Sequence, residues 1–171
     1  EYAVVSENAI IKGPSYIGKN VFIGSNSLIR NNTDIEEDSL IGAYMEIKNS
    51  LVLEGSSTHS GFIGDSIIGR KCKIGGLFNT ANVRLDRNMV KAEHAGEKID
   101  TGLKSFGGVI GDNTVIGSRV SLMPGVIIGS NVNIGPSTTV TKNIPSNLIF
   151  YTKFSETILK KKSARVKKTK K

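Results

Sequence analysis

Every sixth residue from Val5 to Leu53 is aliphatic: Val5, Ile11, Ile17, Ile23, Ile29, Ile35, Ile41, Ile47 and Leu53. With Ile, Leu and Val filling about a quarter of the chain, nine such hits in a row are expected by chance roughly a few times in a million. A period of six matches neither the 3.6 of an amphipathic helix nor the 2 of an ordinary sheet. It predicts a solenoid of short strands, a parallel β-helix.

Two residues before each aliphatic position the side chain is usually small (Ala3, Ala9, Ser15, Val21, Ser27, Thr33, Ser39), and one residue after it is often glycine (Gly18, Gly24, Gly42, Gly69, Gly75, Gly111, Gly117, Gly129, Gly135). Residues two apart on a strand face the same side, so the small and aliphatic residues line the interior. Glycine is expected to relieve strain where each strand turns a corner. Three hexads then close one coil of a triangular prism in about eighteen residues.

The rhythm resumes three residues out of step, through Phe62, Ile68, Ile74 and Thr80, and continues from Ile110 to Val140. Two interruptions remain: a slip between Leu53 and Phe62, and a polar excursion over residues 83–109. In a repetitive scaffold the irregular parts usually carry the chemistry, the alternative being neutral insertions. Within the excursion, 90–92 and 98–100 can pair as a small hairpin around Ala95-Gly96, projecting from the coil.

Composition narrows the picture. The net charge of +8 is concentrated in a basic tail over residues 156–171, which holds eight Lys and Arg against Glu156 and leaves the body nearly neutral. No aromatic residues accompany that tail, which speaks against nucleic acid; it is a solvated terminus or helps hold the phosphates of an anionic ligand. No apolar run spans a membrane. Cys72, the single cysteine, falls at a small inward position, as core filling in a reducing, cytoplasmic compartment.

Residues eighteen apart should stack about 4.8 Å apart. One corner column reads Lys12, Arg30, Lys48; another reads Gly18, Glu36, Glu54. Stacked cations repel unless a bound anion compensates or nearby Glu36 and Glu46 neutralise them. His59 lies in the slip between the two phases, where an imidazole could accept a proton. His94, in the excursion, is unaccompanied and expected at the surface, and two histidines do not supply a three-His zinc site, so no metal is expected.

The segments Leu28-Ile29-Arg30, Met45-Glu46-Ile47-Lys48, His59 with Phe62-Ile63-Gly64-Asp65, and Ala81-Asn82 resemble the acetyltransferase domain of bifunctional glucosamine-1-phosphate acetyltransferase/N-acetylglucosamine-1-phosphate uridylyltransferases, most closely the archaeal sugar-1-phosphate nucleotidylyltransferases. The resemblance covers about residues 3–155. It implies an all-β, left-handed parallel β-helix over residues 1–155, homotrimeric with sites between adjacent prisms, from which an N-terminal nucleotidylyltransferase domain is absent.

By the same resemblance His59 is the general base. Arg30 and Lys48 hold the sugar phosphate, Asn82 lies near the amine and acetyl group, and the Gly76 backbone faces the thioester. Ser118, Pro136 and Lys153 line acetyl-CoA, the co-substrate. Phe62 stands where a tyrosine is expected, Lys73 where an asparagine is, and Asn88 where a lysine is; Lys91 is then the candidate replacement for the missing charge. The implied activity is N-acetylation of an amino-sugar 1-phosphate, glucosamine or galactosamine, in UDP-N-acetylglucosamine biosynthesis. The alternative is a non-catalytic trimerisation or regulatory domain.

Overall fold

The computed structural model of the chain describes residues 2–161; most of the basic tail lies outside them. Among the described residues every regular element is a strand, and no helix is long and apolar enough to cross a membrane. The strands build three parallel sheets of eight, seven and six strands, plus one antiparallel pair. Consecutive strands pass to successive sheets, so the sheets are the three faces of a parallel β-helix. Strands from Val4–Val5 to Ile149–Phe150 form the first face, Ile10–Lys12 to Thr139–Val140 the second, and Ser15–Ile17 to Val126–Ile128 the third.

The interior is the ladder that the hexads announce. Ile23, Ile29, Ile35, Ile41 and Ile47 are fully buried, as are Ile68 and Leu122 farther along. The small inward positions are buried with them, and their hydroxyls bond to backbone carbonyls: Ser27 Oγ donates to Gly42 O at 2.9 Å, and Ser56 Oγ to Gly69 O at 2.6 Å. A polar group is thereby admitted to the core with its hydrogen bond made. Cys72 takes such a position, fully buried and free, its thiol pushed up by burial.

The slip is differently built from the sequence expectation. Ile35 pairs with Val52, Ile41 with Thr58, Ile47 with Ile63, and Val52 with Ile68. The inward sequence is therefore Ile47, Val52, Thr58, Ile63, Ile68, so three single residues are lost at three separate corners. Val52 and Ile63, both fully buried, occupy the places expected for Leu53 and Phe62, which face outward. The third edge consequently reads Gly18, Glu36, Leu53 rather than ending in Glu54. A test follows from the register: Ile63→Ala should cost about 2–5 kcal/mol in denaturant unfolding, and Phe62→Ala clearly less. Equal costs would refute the assignment.

The corner glycines serve close approach more than backbone freedom. Gly42 is not among the residues at positive φ, yet a Cβ there would collide with the carbonyl of His59 one rung away. Positive φ is taken instead by residues such as Asn20, Asn26, Asp38 and Asn131, side chains that tolerate the left-handed region.

The excursion does contain the expected hairpin, Lys91–His94 against Glu97–Asp100, with Ala95 and Gly96 at φ 51° and 84° in the turn. It does not simply project. The Asn143 carboxamide donates to Glu93 O at 2.8 Å, and Gly125 abuts the Lys91 carbonyl, so the arm lies back on the coil.

Candidate active site

The prism sorts the candidate residues by edge. Backbone hydrogen bonds link Ser6, Gly24, Gly42, His59, Gly75, Gly117 and Gly135 up the first edge. His59 is thus a side-chain-bearing residue in a column otherwise almost entirely glycine. Its backbone N–H donates to Ile74 O at 3.1 Å, and the imidazole is exposed. Gly76 lies beside it: a Cβ there would sit 3.8 Å from His59 Cβ and 3.4 Å from Ser60 Oγ. Among the described residues the Gly76 N–H meets no acceptor.

Ser118 and Pro136 continue this line. A Cβ on Gly75 would lie 2.7 Å from Ser118 N, and one on Gly117 would lie 2.7 Å from Pro136 N. Lys153, exposed, follows Tyr151, whose Cβ faces Gly135. A groove of about 430 Å³, apolar in character, runs here between Val115, Pro136, Tyr151 and Phe154. Lys73 is exposed on the first face, paired laterally with Ser57 and Val115, just around the corner from His59.

The second edge carries the cations. Lys12 pairs with Arg30, Arg30 with Lys48, and Lys48 with Gly64, so the stacking expected from spacing is realised. Its compensation comes from carboxylates, and not from Glu36. Arg30 Nη2 lies 2.6 Å from Glu46 Oε1 and Nε donates to the same oxygen at 2.8 Å, while Lys48 Nζ lies 3.1 Å from Asp65 Oδ2.

Asp65 is the residue that sequence reasoning missed. Its side chain is 6% exposed and accepts bonds from Lys48, from Asn49 Nδ2 at 2.7 Å, and from Asn82 Nδ2 at very short range. Burial acts to raise its pKa, but the Asn82, Asn49 and Lys48 contacts outweigh that and hold it below the usual carboxylate value. Its carbonyl also accepts from Gly107 N at 2.9 Å, and Asn82 O from Phe106 N at 2.8 Å, so the pair closes the neck of the excursion. The available signal was its place at a corner, at φ 51°, directly after the Lys48–Gly64 rung.

Phe62 lies between the two edges, half-exposed on the second face, its ring packed over Gly64 towards Asn82. His59 lies five residues before Gly64, just outside the strand Gly61–Gly64, at most about 17 Å away. The imidazole is therefore across a face from the cations and not directly above them. Lys91 joins neither group. It packs at Gly125, three rungs beyond Lys48, about 14 Å along the axis at 4.8 Å per rung. Asn88 is exposed, its backbone N–H bonded to Asp86.

Residues 2–101 match the family described as the GMPPB C-terminal domain, and residues 107–142 match the bacterial transferase hexapeptide. The chain is 41% identical over 143 residues to the bifunctional protein GlmU of Methanococcus vannielii, covering 83% of this chain and 34% of that protein. It is 37% identical over 148 residues to a bifunctional sugar-1-phosphate nucleotidylyltransferase/acetyltransferase of Sulfurisphaera tokodaii, covering 82% and 37%. It spans about a third of the length of these curated relatives. The solved structure of AntD, an N-acyltransferase from Bacillus cereus, superposes with a TM-score of 0.54 at 19% identity, covering 88% of this chain and 75% of that one, and shares the fold. The chain belongs to the family of GMPPB C-terminal domains built on hexapeptide repeats.

Proposed function

We propose that this domain is an acetyl-CoA-dependent N-acetyltransferase acting on an amino-sugar 1-phosphate, within a larger cytoplasmic protein that also carries a nucleotidylyltransferase domain. The observation that carries the reading is His59: a titratable side chain set into a glycine edge, beside the unengaged Gly76 N–H. The names of the relatives, among them a sugar-1-phosphate nucleotidylyltransferase/acetyltransferase, point the same way.

In this mechanism the 2-amino group attacks the thioester carbonyl, forming the C–N bond, while His59 takes the proton released from nitrogen. The Gly76 N–H donates to the developing oxyanion. The C–S bond then breaks, and the leaving thiolate gains the proton to give free coenzyme A. Arg30 and Lys48 fix the sugar phosphate. Each already holds a carboxylate, but a guanidinium has five N–H donors and an ammonium three, so donors remain for the phosphate. Gly76, Ser118, Pro136 and Lys153 follow one edge and form a track for the coenzyme. In a homotrimer each site lies between adjacent prisms, where a neighbouring copy brings together an imidazole and cations that lie across a face from each other in one chain. Lys73 meets the ligand from the first face.

A second reading, a trimerisation domain without catalysis, is favoured by Phe62, which has no hydroxyl to offer, and by Lys91 lying apart from Arg30 and Lys48 within one chain. Thiol release from acetyl-CoA with glucosamine-1-phosphate, galactosamine-1-phosphate or no acceptor separates the two. Acceptor-dependent release is the expected result, and release no faster than the no-acceptor control would establish the second reading.

A further inference from the structure

A concentration of positive charge on the described surface lies farther along the second edge, three rungs beyond Lys48. A cleft of about 560 Å³ is bordered by Arg84, Lys91, Lys98 and Lys142, with Glu93 as its one lining carboxylate. These cations come from three separate stretches: the start of the excursion, both strands of the hairpin, and the segment after Thr139–Val140. Among the described residues Lys91, Lys98 and Lys142 form no ion pair, whereas Arg30 and Lys48 are both neutralised. Arg84 holds Asp86 through Nε and Nη2, which leaves Nη1 to donate elsewhere.

The cleft is fixed rather than incidental. The Asn143 side chain accepts from Ile127 N at 2.8 Å and donates to Glu93 O at 2.8 Å, riveting the hairpin to the coil. Val90, at the root of the hairpin, is buried, and its carbonyl takes both the Thr101 N–H at 3.1 Å and the Thr101 hydroxyl at 2.7 Å. Holding cations around one cavity raises their mutual repulsion, which a bound anion would relieve. Ammonium groups act on phosphate as point charges, and the free edge of Arg84 adds a directed donor.

A second cleft, about 480 Å³ and mainly apolar, adjoins the first through Arg84 and Pro124. Val83, Met123 and Leu85 line it, and Leu85 is fully exposed. A basic cavity opening onto an apolar one suits a ligand with a polyanionic middle and an organic end. We propose that the hairpin cleft binds the diphosphate group of a nucleotide, with the nucleoside end against the Leu85 cleft. The proposal does not depend on acetyl transfer, since a trimerisation domain could hold the same ligand.

The test is lysine footprinting of the full chain with an amine-reactive acetyl ester, read by mass spectrometry, with saturating pyrophosphate, ADP or coenzyme A. Several-fold slower acylation of Lys91, Lys98 and Lys142, with Lys71 unchanged, is the expected result. Protection by ADP stronger than by pyrophosphate supports use of the apolar cleft by a nucleoside diphosphate. Protection strongest with coenzyme A supports the same diphosphate chemistry and names the coenzyme as its source. Equal protection of all lysines, protection at Lys48 but not the hairpin, or none at all would overturn the site. By calorimetry the Lys91→Gln/Lys98→Gln double variant should bind pyrophosphate about tenfold more weakly; unaltered binding would equally overturn it. Neither readout uses turnover, so an inactive chain that is still protected at the hairpin would refute the acetyl-transfer reading alone.

Discussion

His59→Ala is expected to lower kcat for acetyl transfer by about a hundred- to ten-thousand-fold, the range a positioned general base supplies, while leaving the thermal midpoint unchanged. The asymmetry follows from where the side chain stands. Gly24, Gly42, Gly75, Gly117 and Gly135 hold equivalent corners with no side chain at all, so the edge does not need an imidazole in order to fold. The His59 ring is exposed, and its residue is tied to the ladder by the backbone N–H, which alanine retains. Thiol release at saturating acetyl-CoA, together with thermal unfolding, measures both halves. Wild-type turnover in the variant would remove His59 from the chemistry. A fall in midpoint as large as the fall in rate would make it a structural residue.

Asp65→Asn should show the opposite signature, a loss of about 3 kcal/mol of stability with a weakened hold on the acceptor. The substitution keeps the shape of the side chain but turns one of its acceptors into a donor that faces the donor of Asn49, at Oδ1, or those of Lys48 and Asn82, at Oδ2. Lys48 loses its carboxylate in a site that is only 23% exposed on its side, and Asn82 is released from the neck. For a chain of this size the thermal midpoint should fall by roughly 6–12 °C, and KM for the amino-sugar phosphate should rise. The same carboxylate sets an acid limit. Its pKa is depressed in the folded state, so its contribution is complete above the unfolded value near 3.9 and is lost as pH falls through the lower folded value. An Asp65→Asn chain should therefore show a shallower fall of stability in strong acid than the parent. Identical acid profiles would mean that Asp65 is not the linked group.

The wall of the prism was legible because burial imposes a period that survives averaging over twenty-one strands. Position-by-position alignment in the slip was not, because a lost residue can be absorbed at any corner. Ile47, Leu53 and Phe62 are as consistent with the aliphatic rhythm as Ile47, Val52 and Ile63, and only the ladder partners Ile35–Val52 and Ile47–Ile63 decide between them. Arg30 and Lys48 were readable as a column since stacking follows directly from spacing. Their neutralisation by Glu46 and Asp65 was half-readable: Glu46 lies next to Ile47 on the same strand, whereas Asp65 reaches Lys48 across a shortened rung. The place of Lys91 at Gly125 was not readable, because proximity in sequence to Asn88 says nothing about where a hairpin folds back.

Each coil of the prism touches little besides the coils before and after it, so the ladder is expected to grow like a zipper from wherever it starts. At one step the zipper must jump: Ile68 finds its next partner in Ile110, forty-two residues on, rather than one turn later. The clasp of Asp65, Asn82 and Gly107 sits at that jump. Two halves of the rod, before and after it, are coupled through that clasp and through one strand pair on each of the three faces. Heating in acid, where the clasp opens, should make the two halves melt as separable cooperative units instead of one.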